Sequence, residues 1–173
     1  MPHTNRKAHG ALAKIDISNN KLCAAGGKAL AEALSGNEVM TELNIASNHL
    51  GSKKAYGDAD MSGVSAISDA IPTMGALVKL TMGANHIRGA EAGKALGAAI
   101  AANTVLKELD LSKQGQYFDN NDRLDAPFAK EFAIGLSTNG ALASLDLSQN
   151  SISESESSRI KAVCEVKSIS LKV

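Results

Sequence analysis

One spacing recurs along the chain and decides what it can fold into. It reads Leu12-x-x-Ile15-x-Ile17-x-x-Asn20-x-Leu22, then Met40-x-x-Leu43-x-Ile45-x-x-Asn48-x-Leu50, then Leu77-x-x-Leu80-x-Met82-x-x-Asn85-x-Ile87. A fourth copy begins Leu106-x-x-Leu109-x-Leu111 and then departs from the pattern; the fifth is Leu142-x-x-Leu145-x-Leu147-x-x-Asn150-x-Ile152. Val166-x-x-Ile169-x-Leu171 supplies a degenerate sixth strand. Apolar residues two apart mark a short strand with one face inward. The Asn stands where the chain leaves the strand. Its amide can bond the backbone of neighbouring coils, so that stacked copies form a ladder that satisfies polar loop backbone.

A second periodic segment follows each strand. Ala29, Leu30, Ala33 and Leu34 align with Ala66, Ile67, Ala70 and Ile71, and with Ala95, Leu96, Ala99 and Ile100; Phe132, Gly135 and Leu136 continue the set. Spacings of three and four place them on one helical stripe. Polar or Gly-containing segments such as Ser35-Gly36-Asn37 and Asn139-Gly140 suit the return turns. Aromatics make up only 3% of the chain, so the core has to be built from thin aliphatic layers.

These strand–loop–helix units resemble the ribonuclease-inhibitor-like class of leucine-rich repeats, and similar units occur in ribonuclease inhibitor, the Ran GTPase-activating protein and NOD-like receptors. The resemblance spans residues 7 to 173. It implies an α/β fold, a right-handed leucine-rich-repeat solenoid or horseshoe segment, with a parallel sheet on the concave side and helices on the convex side. About five repeats and a terminal strand form one domain over 1–173, with strands near 15–17, 43–45, 80–82, 109–111, 145–147 and 169–171. The role it implies is non-enzymatic protein–protein recognition, although one fold serves many partners.

Repeat length is not uniform. Between strand starts Ile15, Leu43, Leu80, Leu109, Leu145 and Ile169 the intervals are 28, 37, 29, 36 and 24 residues. The stretch from the last helical apolar residue to the next strand is constant, as from Leu34 to Met40 and from Ile71 to Leu77. The extra length therefore falls between strand and helix, in insertions 51–62 and 112–125. The first holds Tyr56, Asp58 and Asp60; the second holds Tyr117, Phe118, Asp119 and Asp122. Two coils apart, the loops are expected to project side by side at about 10 Å. Long loops on one edge of a rigid scaffold commonly carry binding, so these seven residues are the candidate partner-binding set. Mutual packing of the two loops is the competing account.

The sheet face offers less. Lys14, Glu42, Lys79 and Glu108 form an alternating row, worth about 0–1 kcal/mol per exposed pair. No Trp, Tyr, Phe or Arg stands there to act as an anchor.

Other chemistry finds weaker support. Asp58-x-Asp60-x-Ser62-Gly63 resembles half of a calcium loop, with Asp69 at the twelfth position. However, the repeat frame puts Asp69 on a helix facing away, and an Asp-rich turn is the plainer account. Asp119, Asp122 and Asp125 are a weaker equivalent. His49 and His86 share one slot at about 5 Å, yet two ligands alone make a poor zinc site, and exposed loop histidines are expected. No Gly-x-Ser-x-Gly elbow occurs, and Ala24-Ala25-Gly26-Gly27 lacks the Lys-Ser/Thr ending of a phosphate loop. No catalytic residue, metal or cofactor is assigned.

Charge is balanced at 18 basic and 18 acidic residues, which offers no footprint for nucleic acid. No apolar run of 18 residues exists to span a membrane, and the opening MPHTNRKAHG has no signal-like apolar core. Cys23 and Cys164 lie near opposite ends of the array, about 20 Å apart by strand spacing. They are expected as buried or half-buried free thiols in a reducing, cytoplasmic setting. The last helix is expected to be abbreviated, around Ile160 to Cys164. The leading function is thus a protein partner bound through the insertion loops. The alternatives are self-association through the open solenoid ends and a calcium-responsive acidic loop.

Overall fold

A computed structural model describes residues 12–55, 57–115, 124–150 and 152–173. Six short strands, β1 (Lys14–Asp16), β2 (Glu42–Asn44), β3 (Lys79–Thr81), β4 (Glu108–Asp110), β5 (Ser144–Asp146) and β6 (Ser170–Lys172), form one sheet in sequence order. Every adjacent pair is parallel. Between them run α1 (Cys23–Leu34), α2 (Ser62–Ala70), α3 (Gly89–Ala102), α4 (Ala126–Thr138) and α5 (Glu154–Lys167), with a 3-10 turn at Ile71–Thr73. This is an α/β solenoid of leucine-rich-repeat type. Leu43, Leu80, Leu109 and Leu145 stand opposite one another in register and are buried with Ile45, Met82, Leu111 and Leu147. Phe128 and Phe132 stack at 5.4 Å between centroids beneath them, so two of the chain's three Phe residues sit in one layer.

The helices approach unevenly. α1 packs closely on α2, and α3 on α4, through positions where a side chain would not fit. A Cβ on Gly63 would lie 2.7 Å from the Ala24 Cα. One on Gly135 would collide with the backbone of Gly97.

Three expectations need correction. The first five strands begin one residue earlier than their predicted windows. The buried stripe of α1 is Ala24, Gly27, Ala31 and Leu34; Ala29 and Ala33 are exposed, because α2 approaches along the glycine-bearing side. The last helix is not abbreviated. It runs 14 residues from a Ser153 cap to a left-handed Ser168 (φ 56°), and the amide of Ile169 bonds back to the Cys164 carbonyl at 2.8 Å. That reversal moves the sixth strand by two residues, so Leu171, not Ile169, lies opposite Leu145. Ile169 instead turns inward and is buried.

Candidate functional site: the strand-to-helix edge

The edge is built on the amide ladder. The backbone N–H of Asn20 donates to Asn48 Oδ1 (2.8 Å), that of Asn48 to Asn85 Oδ1 (2.9 Å), that of Asn85 to Gln114 Oε1 (3.0 Å), and that of Gln114 to Asn150 Oδ1 (2.7 Å). Gln114 therefore fills the slot where the fourth copy leaves the Asn pattern. Its longer amide also accepts from the Ile87 N–H at 3.1 Å and donates to the Met82 carbonyl at 2.9 Å. The residues flanking the ladder Asn adopt left-handed backbone without being glycine, as in Ser47 (φ 56°) and His49 (φ 57°), or Ala84 (φ 54°) and His86 (φ 60°). Such conformations persist only where surrounding bonds over-determine them; the ladder supplies those bonds.

A second row of amides holds the opposite edge. Oδ1 of Asn37 accepts from the Val39 and Met40 amides, and Asn103 and Asn139 do the same for Val105–Leu106 and Ala141–Leu142. With both edges pinned, length can vary only where the chain leaves the strand side, and there the first insertion folds back on itself. Ser52 and Ala59 form an antiparallel bridge, and the Lys53 amide donates to the Asp58 carbonyl at 2.9 Å. At the hairpin's end, Asp60 Oδ1 accepts from the Ser62 N–H at 3.0 Å and from its hydroxyl. Those bonds hold the Asp60 carboxyl below its ordinary pKa.

The seven candidate residues fare differently. Asp58 is exposed, with its carboxylate 4.0 Å from Lys53, and Asp60 is committed to Ser62. Tyr56, Tyr117, Phe118, Asp119 and Asp122 lie outside the described residues, as does the spacing of the two loops. Asp125, at the end of the second insertion, is the N-cap of α4. Its Oδ1 accepts from the Phe128 amide at 2.8 Å and from the Gly89 amide at 3.0 Å, tying α4 to α3. Asp69 sits on α2 and is exposed. Among the described residues no three His, Cys, Asp or Glu side chains gather as a metal site, and no helix is long and apolar enough to cross a membrane.

The histidines are not the exposed loop residues expected. His86 is only 6% exposed, and His49 Nδ1 lies 2.8 Å from His86 Nε2 with the rings stacked at 5.0 Å. Stacking of coils accounts for the contact, since His49 and His86 follow the bonded rungs Asn48 and Asn85. Burial holds both imidazoles below their ordinary pKa, reinforced at His49 by His86 and Lys21 and at His86 by Arg88. Both cysteines are free, Cys23 half-buried and Cys164 buried, and burial pushes both thiols up.

On the sheet face the alternating row of the sequence forms two ion pairs, and a third pair lies outside that row. Lys14 Nζ lies 2.6 Å from Glu42, Lys79 Nζ 2.8 Å from Glu108, and Lys172 Nζ 2.8 Å from Asp146. The shallow groove across β1 to β3 is lined by Lys14, Glu42 and Lys79 together with Asp16, Asn44 and Thr81.

This architecture, with six parallel strands alternating with helices and an amide ladder at each coil, is that of a leucine-rich-repeat-like solenoid. No protein-family model and no curated protein matches the chain. Among solved structures it is similar to leiomodin-1 actin-binding site 2, with a TM-score of 0.66 and 18% identity over 90% of this chain and 80% of that one. That likeness is one of fold.

Proposed function

We propose that the chain is a non-enzymatic protein-interaction module of the ribonuclease-inhibitor-like class, working inside the cell, that takes its partner on the strand-to-helix edge. The observation that carries this reading is the contrast between the two surfaces. The sheet face sets Lys14 against Glu42, Lys79 against Glu108 and Lys172 against Asp146, and its six strands carry no aromatic anchor. The edge extends a hairpin with an exposed Lys54 and with Lys53 and Asp58 4.0 Å apart, on a scaffold locked by the ladder. Tyr56 in the first insertion and Tyr117, Phe118, Asp119 and Asp122 in the second supply the aromatic and acidic contacts, and Asp60 is bonded to Ser62 where the first insertion ends.

The fold of leiomodin-1 actin-binding site 2 makes actin the first partner to assay, by co-sedimentation and by capture on immobilised actin. The decisive variant is Tyr56→Ala with Tyr117→Ala, checked for an unchanged circular dichroism spectrum. Loss of capture, of actin or of partners drawn from extract, is the expected result. Binding that survives the double change would place the contact elsewhere and reject the edge.

A further inference from the structure

We infer that His49 and His86 form a proton-sensitive latch between the second and third coils, which closes the base of the Ser52–Ala59 hairpin near neutral pH and loosens it in acid. The pair joins two coils 37 residues apart in sequence through one N···N contact of 2.8 Å. Such a contact needs a proton on one nitrogen and a lone pair on the other. A neutral or singly protonated pair satisfies this. A doubly protonated pair sets two N–H groups against each other at the same distance, inside the protein.

Burial opposes the second proton. His86 is buried, and among the described residues the charged groups acting on the pair are Lys21 from the first coil and Arg88 from the third. Both are cations.

The latch also bears on the hairpin through the backbone. The His49 carbonyl accepts from the Ser52 amide at 3.0 Å, and the Gly51 amide donates to the Asn85 carbonyl, one residue before His86, at 2.9 Å. Splitting the rings displaces the two residues from which the hairpin springs.

The sign is set by linkage. Histidines held below their unfolded value near 6.5 contribute stability that is present above that pH and lost as pH falls. A folded pair one proton short of two free imidazoles raises the unfolding constant up to tenfold for each pH unit below about 6.

The test uses the whole chain. Urea unfolding at pH 7.5, 6.5 and 5.5 is compared for the wild type, His49→Asn and His86→Asn, Asn being tolerant of left-handed backbone. The wild type is expected to lose stability steeply towards pH 5.5 and the variants to lose that slope. Hydrogen exchange at Ser52 and Lys53, corrected for intrinsic rate, is expected to quicken in acid in the wild type. If neither variant folds, proton NMR titration of the wild-type imidazoles decides. Two independent, single-proton titrations near 6.5, or equal pH slopes in all three proteins, overturn the latch.

Discussion

Replacing Gln114 with Leu tests the ladder at the rung where it departs from its own pattern. The side chain is fully buried. Its Oε1 is the acceptor for two backbone donors, the amides of Asn85 and Ile87. The carbonyls it serves keep other partners: Met82 O still receives Asn85 Nδ2 at 3.0 Å, and Ser112 O still receives the Ala84 amide at 2.9 Å. The substitution thus orphans two buried N–H groups, at about 1–3 kcal/mol each. Leu is close in size and keeps water out, and burying its apolar body returns about 1.5–3 kcal/mol. A net loss of about 2 kcal/mol follows, and with a urea slope of about 2 kcal/mol per M the midpoint falls by about 1 M. The matched control is Asn20→Leu at the exposed first rung, where the amide bonds only the Ile17 and Ser18 carbonyls and water replaces it; about 0.5 kcal/mol or less is expected. Equal shifts in the two variants would refute the claim that satisfying buried backbone is what the ladder contributes.

Two further perturbations address the helix layer. Gly135→Ala forces a methyl into the Gly97 backbone and is expected to cost about 3 kcal/mol, whereas Gly140→Ala meets nothing within 4 Å and is expected to gain about 0.4–1 kcal/mol from reduced unfolded-state freedom; thermal melts of the pair check both signs. Asp125→Ala removes the α4 cap and its bond to Gly89, so a loss of about 1–2 kcal/mol is expected in urea, and a change below about 0.3 kcal/mol would show the cap to be dispensable.

Much of the fold is readable from residue spacing because each coil repeats one set of constraints. Leu43, Leu80, Leu109 and Leu145 share a slot, and so do the ladder Asn residues. Gln114 escaped because the pattern asks for Asn, although it stands three residues after Leu111, where Asn85 stands after Met82. The full length of α5 escaped for another reason. Glu154–Lys167 buries just Ile160 and Cys164, so polar residues fill most of its turns and little apolar periodicity marks it. The shift of the sixth strand hangs on the left-handed turn at Ser168, which no spacing announces. At the edge, the repeat intervals located the first insertion between strand and helix, where the Ser52–Ala59 bridge stands. The His49–His86 contact depends on which way two rings turn, and a shared slot fixes only how far apart they stand.

The ladder has a consequence for how such a chain can change. Each rung spans the boundary between coils before the variable stretch begins, and the matching amides at the return turn hold the other side. Loop size is thereby uncoupled from coil height: a 37-residue step and a 29-residue step stack with the same hydrogen bonds. The hairpin between Ser52 and Ala59 is in effect a socket, where residues can be added, removed or exchanged while the stack beneath keeps its pitch.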